Sequence, residues 1–144
     1  MNRVALKIIT VSDLTWQNGL EYALDGINKA RNTGVKLEYE IIGQGPMLEA
    51  LGFSIHELDL DEFCEIKKFQ LGKINSDVFL LPAVSQVSLN FKRLIIPKRM
   101  KWVVTQYCLG IKNYTKAENI IQVHRWDSDE IAKVLISIFD NGIL

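Results

Sequence analysis

The chain has little with which to hold a metal, a phosphate or a membrane. It contains two cysteines and two histidines in 144 residues, and none of the four sits in a ligand-spaced cluster. Cys64 and Cys108 are too few in a chain of this size for a disulfide framework, so they read as reduced thiols of a cytoplasmic protein. His56 and His124 have no Ser, Cys or acid beside them in a nucleophile pattern and read as structural histidines. No apolar run approaches the roughly 20 residues that span a bilayer. Lys plus Arg equals Asp plus Glu at 17 each, so no net charge argues for nucleic acid as a partner. No G-x-x-x-x-G-K-[ST] loop occurs, and no G-x-G-x-x-G follows the first apolar segment. Low complexity, internal repeats and linkers are absent as well.

What remains is a globular composition, 48% apolar and 24% charged, in a length suited to one domain over residues 1–144. Val4–Val11 is nearly continuous in apolar residues and reads as a strand buried on both faces, not as a signal peptide. Leu20, Ala23, Leu24, Ile27 and Ala30 form a helical stripe that Gly34 terminates. Leu37–Ile42, Asp77–Leu81, Trp102–Gln106 and Ile120–Val123 are further strands. Met47–Leu51 is helical, Ser54–Leu60 alternates like a short exposed strand, and Asp61–Ile74 and residues 88–96 have helical spacing. Asp127 and Glu130 fit a capping box at the start of a last helix, whose inner face is Ile131, Val134, Leu135, Ile138 and Phe139. Strand and helix alternate, and the strands are too apolar to face water. The expectation is therefore an α/β, Rossmann-like three-layer domain, with a parallel sheet of five or six strands and helices on both faces. In such sheets ligands bind at the carboxyl ends of the strands, here the turns at 12–19, 43–46, 83–90 and 106–110.

The turn VSDLTWQNG, residues 11–19, stands where α/β proteins often bind phosphate, yet it has no Lys or Arg. Gly43-x-Gly45 is a weak phosphate-loop signal and fits a tight turn better, since glycine is the default turn residue. Trp16, in a loop, is placed to stack a base or sugar, whereas Trp102 belongs to a strand and reads as core. Lys92, Arg93, Lys98, Arg99 and Lys101 form one local basic run. It fits a solvated face; its sharper reading is an anion site, or a peripheral contact with anionic lipid.

In order along the chain, five segments resemble the C-terminal, donor-binding half of a family 4 glycosyltransferase of GT-B architecture. KIITVSDLTWQNGLEYALDGI resembles the family's strand, G-R-L-x-x-x-K-G turn and helix; LEYEIIGQGP resembles its strand ending in I-x-G-x-G-P; INSDVFLLPAVSQ resembles A-D-V-F-L-L-P-S-x-S-E; WVVTQYCLG resembles P-V-V-A-T with its glycine turn; and IIQVHRWDSDEIAKVLISIFDN resembles the closing strand, D-x-E-x-L-A and helix. The resemblance implies retaining transfer of a hexose from a nucleotide-diphosphate sugar, with no active-site metal and no other cofactor. By position it assigns donor contact to Ser12, Asp13, Asn18, Gly19, Gly43, Gly45, Ser85, Gln86, Val87, Ser88, Leu89 and Leu94.

The motifs themselves are degenerate. The diphosphate-holding Arg of the family falls on Asp13 and the Lys on Asn18. The two donor-contacting Glu residues fall on Gln86 and Leu94, and the glycine-rich stretch after the first becomes Val87-Ser88-Leu89. Each lost charge-assisted phosphate contact is worth about 1.5–3 kcal/mol. No catalytic residue is confidently retained, and the N-terminal acceptor domain of a GT-B enzyme is expected to be absent. Two functions follow. One is a nucleotide-sugar-binding glycosyltransferase-like domain that is inactive alone and works with a separate acceptor-domain protein or as a homo-oligomer. The other is a non-catalytic interaction or regulatory module of the same fold. A receiver-like domain with Asp13 as phosphoacceptor is disfavoured, because Pro82 and Ala83 stand where its acceptor would be.

Overall fold

The computed structural model describes residues 4–69, 72–91 and 94–142. Its strands are β1 (Leu6–Val11), β2 (Leu37–Ile42), β3 (Cys64–Lys67), β4 (Gly72–Lys73), β5 (Val78–Leu81), β6 (Val87–Ser88), β7 (Leu94–Ile95), β8 (Lys101–Val104), β9 (Cys108–Leu109) and β10 (Ile120–Gln122). Its α-helices are α1 (Leu20–Asn32), α2 (Leu48–Glu57) and α3 (Ser128–Asp140). Six strands form a sheet in the order β10-β8-β5-β1-β2-β3, every pair parallel. The expected Rossmann-like α/β class is therefore the observed one. The chain steps from β1 to β2 and β3 on one side, then returns to the other side through β5, so the order reverses beside β1.

The central strands are buried as their sequences require. In β5 all four residues are buried, and in β1 only Lys7 is exposed. Thr10 is the polar exception in this core. Its hydroxyl donates to the Leu80 carbonyl and shares a hydrogen bond with the Tyr39 hydroxyl, so neither buried oxygen is orphaned. Burial pushes the Tyr39 phenol well above its ordinary range, and it stays neutral. Helix α1 packs on both α2 and α3. Gly26 lets α1 approach α3, since a Cβ there would lie 2.6 Å from Ile131 Cγ2. Lys29 then ties the two helices together, 2.8 Å from Asp129 and 2.9 Å from the Ser128 hydroxyl.

Three segments differ from the sequence expectation. Ser54–Leu60 is not a strand, because α2 runs on to Glu57, with Leu51 and Ile55 buried one helical turn apart. The alternation SIHELDL fits both periods, and packing decides between them. Within Asp61–Ile74 the described residues form β3 and β4 in place of a helix, because the open edge of β2 offers a ladder from Tyr39 to Ile42 that β3 completes. Around 88–96 the described residues form β6 and β7, paired with β9 and β4 in two-residue parallel ladders. Between β5, β8 and β10 the described chain contains 3-10 turns and no α-helix, so the cover over that half of the sheet is irregular. Phe79, Phe91, Trp102 and Tyr114 fill it with rings, Phe79 and Trp102 at a centroid distance of 4.6 Å.

At the last helix Asp127 caps as expected, its carboxylate accepting from Glu130 N at 2.9 Å. Glu130 does not close the box onto Asp127. It accepts instead from the backbone N–H of His124, and its carboxylate lies 3.0 Å from the His124 ring.

Candidate functional site

A cleft of about 510 Å³ opens at the carboxyl ends of β1, β2 and β5, whose last residues Val11, Ile42 and Leu81 form its floor. It lies where the strand order reverses, the usual ligand position in an open α/β sheet. Its walls come from three loops: 12–18 after β1, 43–44 after β2, and 87–91 around β6.

The loop after β1 is fixed from both sides. Ser12 N donates to Ile42 O at 3.1 Å and Leu14 N to Gln44 O at 2.9 Å, while Val84 N donates to Gln17 O at 2.9 Å. Leu14 is fully buried beneath it. The closeness of these loops explains their glycines. A Cβ on Gly43 would lie 1.8 Å from Ser12 O, and one on Gly19 2.2 Å from Pro82 O. Gly45 has φ +155° with Leu14 backbone atoms at 2.7–3.0 Å from its missing Cβ. These three glycines serve chain-to-chain approach, and of the three only Gly43 lines the cleft.

Asn18 is 5% exposed and holds the loop together. Its amide donates to Asp13 O at 2.7 Å and to Thr15 Oγ1 at 3.2 Å. Asp13 O also accepts from Ser12 Oγ at 3.0 Å. The Asp13 side chain is exposed and makes no hydrogen bond or ion pair with another described residue.

Of the twelve positions assigned from sequence, Ser12, Asp13, Asn18, Gly43, Val87, Ser88 and Leu89 meet around this cleft. Gly19, Gly45, Ser85 and Gln86 do not line it, and Leu94 lines an adjoining hollow that shares Val11, Ile42 and Phe69 with the cleft and carries Lys7, Lys73, Glu38 and Glu40. Sequence reasoning assigned no donor contact to Thr15, Gln17, Gln44 or Asn90, which lie in the flagged turns, or to Phe91 and Phe69, of which it placed Phe69 on a helix; all six line the cleft. Gln44 and Asn90 lie within the turns flagged at 43–46 and 83–90, so position had already pointed to them. Trp16 is 61% exposed but stands outside the cleft.

The electrostatics are one-sided. Among the described lining residues there is no Lys, Arg or His, and the single charged side chain is Asp13. The described part of the basic run does not reach the cleft. Lys98, Arg99 and Lys101 precede or begin β8, and Lys101 N bonds Asp77 O before β5, so they occupy the amino-terminal edge of the sheet. Lys92 and Arg93 lie outside the described residues. Arg125 is near the loop after β5 but is engaged elsewhere. It donates to Val84 O at 3.2 Å and covers the rings of Tyr107 and Trp126 at 4.9 and 4.1 Å. No described helix is long and apolar enough to cross a membrane.

No protein-family model matches the chain. It is 33% identical over 86 residues to the putative colanic acid biosynthesis glycosyltransferase WcaL of Escherichia coli strain K12, a stretch that covers 56% of this chain and 21% of that protein. Among solved structures, Anabaena Alr3699/HepE in complex with UDP-glucose superposes with a TM-score of 0.73 at 11% identity, over 95% of this chain and 40% of that one. The C-terminal domain of LpcC, a glycosyl transferase group 1 family protein of Francisella tularensis, gives 0.71 at 11% identity, over 94% and 75%. The chain thus has the fold of solved glycosyltransferases, and it spans about a fifth of the curated relative it matches.

Proposed function

We propose that this chain is a donor-domain type of GT-B fold whose cleft has ceased to hold a nucleotide diphosphate. By itself it transfers no sugar and acts as a binding or regulatory module. The observation that carries this is the charge of the cleft wall: no cation among the described lining residues, and a carboxylate at Asp13. A departing diphosphate gains negative charge, and transfer needs fixed cations or N–H dipoles aimed at it. Here Asn18, which stands where the resemblance puts a phosphate-binding Lys, spends its amide on the loop backbone. The resemblance to retaining family 4 enzymes supplies the ancestry of the site, and its residues argue against the inherited chemistry.

The test is a titration of the protein with UDP, GDP and ADP and their hexose conjugates, followed by amide NMR shifts. Silence at about 1 mM, an affinity weaker than about 4 kcal/mol, is expected. Saturable shifts confined to residues 12–18, 43–44 and 87–91 with one nucleotide would refute the proposal.

A second reading is favoured by length: the chain covers 21% of WcaL and 40% of HepE. In that reading a separate domain or partner chain supplies the other wall of the cleft together with the cations. A nucleotide sugar would then bind only the assembled pair, and its binding to the isolated chain would stay undetectable.

A further inference from the structure

We infer that the cleft takes an uncharged, polyhydroxylated ring: a pyranose of a neutral glycan, bound as ligand and not as donor. This rests on the reading that no diphosphate is held there, and it names what the remaining wall is suited to.

Three observations converge. The first is the inventory of side chains. Asp13, Gln17, Gln44, Ser88 and Asn90 all face one cleft, and none makes a side-chain hydrogen bond or ion pair with another described residue. A carboxylate only accepts, a primary amide both donates and accepts, and a hydroxyl does either. Together they match adjacent sugar hydroxyls, each of which offers one donor and two acceptor positions. The same set is poor for an anion, since Asp13 repels it and no cation among the described lining residues offsets that. The second is an aromatic surface. Phe69 is 53% exposed at the rim, just beyond β3, and a solvated ring beside polar groups suits the apolar C–H face of a pyranose. The third is preorganisation. The backbone bearing Asp13 and Gln17 is braced by the buried Asn18 amide, by Leu14 N to Gln44 O, and by Val84 N to Gln17 O. The backbone that carries them therefore needs little ordering on binding. The volume of about 510 Å³ lies within the range of small-ligand pockets.

Amide NMR on the whole chain tests this with two sets of probes. The neutral set is the methyl glycosides of glucose, galactose and mannose, with maltose, cellobiose and lactose. The anionic set is pyrophosphate and glucose 1-phosphate. The expected result is saturable shifts at Asp13, Gln17, Gln44, Ser88 and Asn90 with at least one neutral sugar, and none with pyrophosphate. Asp13→Ala should weaken the sugar about tenfold, the loss of one charge-assisted hydrogen bond. The side chain is exposed and unbonded, so the variant keeps its fold, and its own amide spectrum verifies that. The inference is overturned if no neutral sugar shifts the cleft residues at about 100 mM, if the shifts fall elsewhere, or if Asp13→Ala binds as the parent does. Saturable pyrophosphate binding at the cleft would instead overturn the reading beneath it. The two failures are therefore distinguishable.

Discussion

Asn18 is the residue on which a brace and a ligand contact can be told apart. Substituting it by Ala removes two hydrogen bonds, to Asp13 O at 2.7 Å and to Thr15 Oγ1 at 3.2 Å, from a site that is 5% exposed. A net contribution of about 0.5–1.5 kcal/mol per bond puts the loss near 2 kcal/mol. It should not be much larger, because Asp13 O keeps its bond from Ser12 Oγ at 3.0 Å and is not orphaned. For a domain of this size, about 2–4 °C of melting temperature goes with each kcal/mol, so Tm should fall by about 4–8 °C. Asn18→Asp should be at least as costly, since it removes the donor and sets a carboxylate against the Asp13 carbonyl. Thermal unfolding followed by circular dichroism measures both. If Asn18→Ala melts within about 1 °C of the parent, the amide contributes no brace, and its role would have to be sought in the cleft.

Gly43→Ala should cost at least about 3 kcal/mol or abolish folding, because its Cβ would meet Ser12 O at 1.8 Å between two hydrogen-bonded loops; urea unfolding measures it. Gly52→Ala on α2, with nothing within 4 Å of its Cβ, should stabilise by about 0.5–1 kcal/mol in the same assay. Asp127→Ala should lose about 1 kcal/mol through the cap of α3, read from the urea midpoint at neutral pH. Burial pushes the Cys64 thiol up to about 12 and Cys108 to about 11, from an ordinary 9.0. The unfolded chain releases these protons first, so stability should fall as pH rises through 9 towards 11. Both thiols should also resist alkylation at pH 8 until urea unfolds the chain.

The elements legible in the sequence are those with one strong period. Strand β1 reads as a nearly continuous apolar run, of which Leu6–Val11 forms the strand and all but Lys7 is buried; the α1 stripe from Leu20 to Ala30 is buried; and the capped α3 stripe is buried at Ile131, Leu135 and Phe139 and half-buried at Val134 and Ile138. Misreading occurred where a segment of few residues fitted two periods. Cys64–Lys67 becomes a strand only because the edge of β2 is unpaired, and that is a fact about a neighbour 25 positions away in register, Tyr39 to Cys64. No local pattern carries it. Phe69 moved with that segment, from an expected helix over Asp61–Ile74 to the rim of the cleft.

The site divides in the same way. The sequence places Asp13 at the carboxyl end of β1, and that is where it stands. The purpose of Gly43 is invisible without the Ser12 carbonyl that crosses it. The basic run is the more instructive case. Read linearly, Lys98, Arg99 and Lys101 could replace the cations missing from the turn after β1. Strand direction forbids it. Residues that enter β8 and residues that leave β1 lie at opposite edges of a parallel sheet, and crossing β8 alone takes roughly 10 Å. At that separation through solvent a cation contributes little to an anion in the cleft, since the Debye length at ordinary ionic strength is about 8–10 Å. The described lining therefore leaves amides, hydroxyls, Asp13 and the exposed Phe69 ring to recognise a ligand. A cleft of that chemistry discriminates by the pattern of hydroxyl groups and not by charge, so its affinity should be nearly independent of salt between about 50 and 500 mM, where a phosphate site would weaken steeply.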